Sequence, residues 1–385
     1  MSLSYQHILI APDKFKHCLT SMEVADAVAR GVWKSQCGAT WERSAIADGG
    51  EGFSEIIGNA LCMTKVTARA RDALGRRIYA DYRCGYVDRE VLAVMEMSAT
   101  AGLWQIQSDE RDPLHSSTYG VGEMLRSAVN GRGAKRVLLG IGGSATNDGG
   151  AGLAAALGCR FLDANGKELT ADPASLHGKL AAIDRSEMIA LPAIDVACDV
   201  ENPLLGDTGA TAIFGSQKGL SSEDAVIAEE VLARIVELLD AEDLALRPGA
   251  GAAGGLGFGL MAFCGGVLKP GFGLVADTLG LEEKIRRCDL VITGEGSVDA
   301  QSLHGKAPVG LARMARAAGK PVWMICGRAD KAFFEEGSPF DRVFVLLDRE
   351  PNIPKAMATA SELVIDEMCE ALQSASQGEL ESTPS

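Results

Sequence analysis

The chain has 385 residues, 47% of them apolar and 23% charged, and carries a formal charge of −15. Its length gives room for two domains with sizeable cores, and its acidic balance argues against a nucleic-acid partner, which would need clustered lysine and arginine. The ten cysteines show no CxxC pair and no metal-type Cys/His spacing, and polar residues interrupt the N-terminal stretch, so reduced thiols, no secretory signal and a cytoplasmic setting are expected.

In chain order, His7 to Ala11 (HILIA) reads as a short buried strand, and PDKFK follows as a loop. Thr20 then caps a helix, with Glu23 completing a capping box. A second strand is expected near Ser44 to Ala47, then the loop ADGGEG and a helix from Phe53 to Leu61. This β-α-β-α order points to a parallel layered sheet. After Thr64 the segments KVTARARD, RRIYADYRCGYV and EVLAVMEM alternate or run apolar, which reads as an antiparallel meander. A helix capped near Ser117 or Thr118 comes next.

Val137 to Gly152 (VLLGIGGSATNDGGAG) is a strand, a glycine-rich turn and the start of a helix. Such a turn can hold an anion on backbone N–H groups, or be no more than a tight turn with Asp148 as N-cap. Val196 to Asp199 reads as a strand, FGSQKG as a loop and Ser221 to Leu239 as a surface helix. Gly249 to Leu268 is uncharged for twenty residues, but eight are glycine, which favours a buried loop and helix over a membrane span. From Leu281 the β-α alternation returns: DLVITGEG as strand and loop, a helix from Lys306 to Ala318, the strands PVWMIC and RVFVLL, and a helix from Lys355 to Leu372. The two ends of the chain are alike and the middle differs.

The expected fold class is therefore α/β. A doubly wound, Rossmann- or flavodoxin-like domain built from both termini (1–65 and 282–373) carries an inserted α/β domain with a mixed sheet (66–281). A disordered tail (374–385) follows. A ligand cleft is expected where strand ends meet the domain interface.

Asp48, Asp148, Asp199, Glu295 and Asp299 each follow an apolar strand. Carboxylates so placed can hold Mg²⁺ or take a hydroxyl proton, but they can also be helix caps or solvated strand ends. Asp48-x-x-Glu51 is itself a capping-box pattern. Lys16, Lys218, Lys269 and Lys306 lie in loops where they could meet a phosphate or carboxylate, or simply solvent. His17, His115 and His304 are bases by residue type only. There is no Walker A pattern. One G-x-G-x-x-G match, at Gly249, Gly251 and Gly254, follows Arg247-Pro248 rather than a strand, a poor dinucleotide fingerprint. Carboxylates, lysines and glycine turns without a cysteine or histidine nucleophile fit phosphoryl transfer, which needs positioning and charge neutralisation.

Seven blocks then occur in one order: APDKFKHCLTS, ADGGEG, GIGGSATNDGGAG, ACDVENPLLG, FGSQKG, PGAGAAGGLG and ITGEGSVDAQSLHGKAPVG. With these the chain resembles the bacterial glycerate kinases of the type I glycerate 2-kinase family, over about Ile8 to Leu372. The departures are Lys14 for the usual Ser, His17-Cys18 for Gly/Glu-Ser, and Ser216 for the usual Pro. The resemblance implies ATP-dependent phosphorylation of D-glycerate, usually at the 2-hydroxyl; the expected cofactors are ATP and Mg²⁺, and the expected state is a monomer or homodimer without nucleic-acid or membrane partners. From the chemistry of these residues, Asp148 is expected as base or orienter, with Asp48 second. Gly142, Gly143, Ser144, Thr146 and Asn147 are expected to cradle phosphate. Lys16, Lys218 and Lys306 are expected to neutralise anionic groups, and Asp48, Asp199, Glu295 and Asp299 to supply metal ligands. The rival readings are an NAD-dependent hydroxy-acid dehydrogenase using Gly249 to Gly254, and a non-catalytic ligand-binding regulator on the same fold.

Overall fold

The computed structural model describes residues 5–47, 49–298, 307–330 and 338–377. Its strands, in chain order, begin with β1 (His7–Ile10), β2 (Thr40–Arg43), β3 (Thr64–Arg71), β4 (Arg77–Val87), β5 (Glu90–Glu96), β6 (Arg136–Gly140) and β7 (Arg160–Leu162). They continue with β8 (Glu168–Leu169), β9 (Ala182–Asp184), β10 (Ala193–Ala197), β11 (Val267–Lys269), β12 (Leu290–Val298), β13 (Val322–Ala329) and β14 (Arg342–Val345). The chain divides into two compact units, Met1–Asp48 with Phe272–Ser385, and Gly49–Gly271.

In the first unit the strands form a parallel sheet in the order β14-β13-β12-β1-β2. Counted along this unit alone that is the doubly wound, flavodoxin-like order, whose ligand crevice lies at the carboxyl ends of the two strands flanking the reversal, here β1 and β12. Ile8, Ile10, Leu290, Ile292, Trp323 and Ile325 bury one face against Val24 and Val28 of helix Ser21–Ser35 and Val364 and Met368 of helix Ala360–Gln377. Helix Ser21–Ser35 starts at the expected capping box: Thr20 accepts from the Glu23 backbone N–H, and Glu23 reaches back to Thr20. Three expectations are corrected here. The second strand is Thr40–Arg43, because the buried 44–47 segment uses its N–H groups on Ile10 and Pro12 carbonyls just past the ladder. Glu295 lies within β12, opposite Cys326, rather than in a loop after it. The closing helix is two, Ile353–Ala358 and Ala360–Gln377, so residues 374–377 are helical and not tail.

In the second unit a six-stranded sheet has the order β11-β10-β6-β5-β4-β3. β3, β4 and β5 are the antiparallel meander, and β5, β6, β10 and β11 run parallel. The sheet is therefore mixed, as expected. β8, β7 and β9 make a small antiparallel sheet. Helix Phe53–Ala60 belongs to this unit. Its Gly58 leaves room for the Arg83 side chain of β4, with Cγ only 2.4 Å from where a Cβ would stand. The FGSQKG segment is a helical end and not a loop: helix Ala210–Lys218 runs through it and closes on Gly219 at φ 105. No helix among the described residues is long and apolar enough to cross a membrane.

Helix Ala252–Cys264 explains the uncharged, glycine-rich stretch. Ala253, Gly254 and Gly255 make a left-handed kink at φ 54, 67 and 85, and the kink lies on the turn after β6. A Cβ on Gly254 would stand 1.9 Å from the Thr146 carbonyl oxygen. The G-x-G-x-x-G residues are thus consumed by protein contacts: a Cβ on Gly251 would meet the Pro203 carbonyl oxygen at 2.2 Å.

Candidate functional site

The turn after β6 is held by backbone from several neighbours. The Leu103 N–H donates to the Gly143 carbonyl at 2.9 Å, Ala145 to Ala101 at 2.9 Å, Gly149 to Gly254 at 3.0 Å and Gly142 to Gly49 at 3.4 Å. Gly143 is exposed and Gly142 half-buried, while Ser144 and everything from there to Gly150 is buried. Gly142 and Gly143 therefore form the accessible lip of the turn, Ser144 lies buried just behind it, and Thr146, Asn147 and Asp148 make its interior.

Asp148 is 0% exposed. Its carboxylate accepts from the Thr118 N–H at 2.7 Å and hydroxyl at 2.8 Å, and from the N–H groups of Gly150 and Gly152 at 3.1 Å each. The Thr118 hydroxyl in turn accepts from Leu153 N–H at 2.9 Å. Asp148 thus joins the starts of helices Tyr119–Arg126 and Ala151–Ala156. Burial pushes its carboxyl up, and the donors from Thr118, Gly150 and Gly152 pull it back. All the polar groups it meets are donors, which is the geometry of an anchor for the ionised acid.

Lys218, 2% exposed, enters the interior from the end of helix Ala210–Lys218 and donates to the Thr146 carbonyl at 2.8 Å. Burial pushes its ammonium down to about 7, against the pull of the Asp148 charge. The Asn147 amide NH₂ donates to the Thr211 hydroxyl at 3.0 Å. The Thr146 hydroxyl and the Asn147 amide oxygen are buried without a partner. Unpaired buried polar atoms are costly, so two side by side mark a place where a bound polar group or water completes the structure.

In the first unit the β1 loop folds back on itself, with reciprocal N–H to carbonyl bonds of 2.9 Å between Phe15 and Leu19. This leaves Lys16 exposed at the tip and puts His17 at φ 62. The loop lies against β12: a Cβ on Gly296 would be 3.1 Å from the Lys16 nitrogen, next to half-buried Glu295. Lys16 and Glu295 thus share the carboxyl ends of the strands at the reversal point of that sheet.

The described candidates divide between the units. Lys16 and Glu295 stand in the first; Gly142, Gly143, Ser144, Thr146, Asn147, Asp148, Asp199 and Lys218 in the second. Asp48, Asp299 and Lys306 lie outside the described residues. Asp199 is exposed and accepts from Gly271 N–H at 2.7 Å. Among the described residues no group of three or more His, Cys, Asp or Glu side chains is placed to hold a metal ion. Single carboxylates such as Asp199 and Glu295 suit Mg²⁺, which keeps waters and phosphate oxygens in most of its positions. The sequence marks Thr118 only as a helix cap and singles out neither Thr211 nor Glu96. Glu96 carried the one visible signal, an acid closing an apolar strand.

A flavodoxin-order sheet in one unit, and a mixed sheet carrying a glycine-rich turn and a buried lysine in the other, make this an α/β protein of the class that includes phosphotransferases. Residues 8–375 match the model of the glycerate kinase family, and the chain belongs to that family. It is 40% identical to the glycerate 2-kinase of Escherichia coli K12, over 94% of this chain and 95% of that one. It is 38% identical to the glycerate kinase of Halalkalibacterium halodurans, over 93% and 95%. The crystal structure of a candidate glycerate kinase 2 from Salmonella typhimurium LT2 superposes with a TM-score of 0.83 at 38% identity, covering 97% of this chain and 99% of that one.

Proposed function

We propose that the protein transfers the γ-phosphoryl group of ATP to the 2-hydroxyl of D-glycerate, giving 2-phosphoglycerate and ADP. Family membership supports the reaction. The observation in this chain that carries it is the turn Gly142–Asp148, whose lip offers backbone N–H groups and whose interior holds a buried lysine beside two unpartnered polar oxygens. Without a Walker lysine in the turn, charge neutralisation would fall to Lys218 behind it, with Lys16 and Lys306 as further candidate cations. Gly143 at the lip, with Gly142 and buried Ser144 on either side, would receive phosphate oxygens. Thr146 and Asn147 would take up the remaining polar group.

Asp148 serves as the anchor that holds the turn, since its oxygens are already engaged; the proton of the acceptor hydroxyl is assigned to Asp48. Mg²⁺, held by some of Asp48, Asp199, Glu295 and Asp299, would neutralise charge on the β- and γ-phosphates. Ten unpaired cysteines accord with a cytoplasmic enzyme.

The test is ADP release from D-glycerate, ATP and Mg²⁺, with the product identified by NMR. Expected are ADP and a 2-phosphorylated product. Phosphate on the 3-hydroxyl would overturn the regiochemistry, and binding without turnover would overturn the enzyme reading. Nicotinamide reduction without ATP would revive the dehydrogenase.

A further inference from the structure

We propose that Glu96 is a positioning residue for the phosphate-facing turn, locking the Gly49–Gly52 loop and the turn after β6 to the same strand end. This rests on the function proposed above. Glu96 is the last residue of β5, opposite Gly140 of β6, and is 8% exposed. Its carboxylate accepts from the N–H groups of Gly52 at 3.2 Å and Ser54 at 2.7 Å, and from the hydroxyls of Ser54 at 2.9 Å and Ser98 at 3.3 Å. The Gly52 and Ser54 donors open helix Phe53–Ala60, whose own N-cap, Gly52 at φ 95, brings no side chain. The cap is supplied across the fold, and a helix start that a local Ser or Asp could have served is tied instead to the sheet.

The loop so tied is the one the turn touches. A Cβ on Gly140 would stand 2.3 Å from the Gly49 carbonyl oxygen, and one on Gly142 2.8 Å from the Gly50 Cα. The residues after Glu96 brace the other side of the same turn. Met97 N–H donates to Gly140 at 2.9 Å, and Ala101 and Leu103 make the bonds to Ala145 and Gly143 given above. One short stretch, Glu96 to Leu103, therefore fixes both backbones by hydrogen bonds. Loosening its carboxylate should release the loop from the turn without emptying the core.

The experiment compares Glu96→Gln, Glu96→Asp and Ser54→Ala in the full chain by steady-state kinetics, thermal melting and hydrogen exchange. Glutamine keeps the shape but turns an NH₂ toward backbone donors. Expected for Glu96→Gln is a loss of about ten- to a hundredfold in kcat/KM, the scale of a misplaced group. Amide exchange should speed up in both 50–54 and 140–145, with the melting point within a few degrees. Ser54→Ala should show a smaller loss in the same direction, and Glu96→Asp a partial rescue. A Glu96→Gln protein that melts lower but keeps its kinetic constants within twofold would overturn the proposal, as would faster exchange confined to 50–54. Should Glu96→Gln not fold, Ser54→Ala decides by the same readouts. Should the wild type not phosphorylate glycerate, the functional reading has failed, and exchange in the two segments still judges the coupling.

Discussion

The two units hold their candidate residues in opposite ways. In the first, Lys16 stands exposed at a loop tip beside half-buried Glu295, on a regular parallel sheet. In the second, Thr146, Asn147, Asp148 and Lys218 are all within 2% of complete burial, and glycine backbones approach one another where side chains would stand. A lysine or an aspartate after a strand looks the same in both sequences. Burial separates their work: exposed groups can meet a ligand directly, while buried ones fix the backbone that does.

The largest effects should come from the glycine contacts of the second unit. Gly254→Ala places a Cβ 1.9 Å from the Thr146 carbonyl at φ +67, and should cost at least about 3 kcal/mol in denaturant unfolding. Gly38→Ala, at φ +80 with open space around it, should cost about 1–2 kcal/mol in the first unit. Equal losses would break the contrast. Asp148→Asn puts an amide among four donors and should lose about 2–4 kcal/mol, with turnover falling alongside. If it melted like the wild type, Asp148 would not be an anchor.

Lys218→Met sharpens the comparison through pH. The ordinary lysine value is 10.5, and in the fold it is pushed down to about 7. Between these values the unfolded chain binds the extra proton, so Lys218 makes stability rise with pH across that window and leaves it flat below. The stability of the wild type relative to Lys218→Met should therefore climb from pH 7 toward pH 10. A flat difference would mean that Lys218 keeps its charge beside Asp148. Lys16→Met should leave stability within about 0.5 kcal/mol while kcat/KM falls about tenfold or more. The smallest effect is expected for His17→Gly, which removes a left-handed residue at φ 62 and should gain up to about 1 kcal/mol by melting.

Much of the fold was legible because it is local. Thr20 and Glu23 announce their helix, the meander alternates with period two, and the β-α rhythm returns after residue 281. What stayed hidden depends on partners far along the chain. Asp148 reads as a free acid until Thr118, thirty residues earlier, is found donating to it. Lys218 looked like a loop lysine because Gly215 and Ser216 resemble a breaker, yet the helix carries through them into the interior. The glycines from 249 to 259 read as a buried loop and helix, and what stays hidden is that Gly254, Gly255 and Gly259 pack against the backbone of the turn from Thr146 to Gly150. Glu96 ends its strand in sequence and structure alike, but its donors lie at Gly52 and Ser54, more than forty residues earlier, and at Ser98, which no periodicity reveals.

The central claim is that the lip of the turn after β6 receives phosphate through its backbone. It is tested most directly by amide NMR or hydrogen exchange of Gly142, Gly143 and Ser144 on addition of MgADP and then D-glycerate. The account predicts that the Gly143 and Ser144 amides shift and become protected, while Gly142, already donating to Gly49, and Gly150 and Gly152, already bonded to Asp148, change less. Saturable nucleotide binding that leaves Gly143 and Ser144 untouched would contradict it.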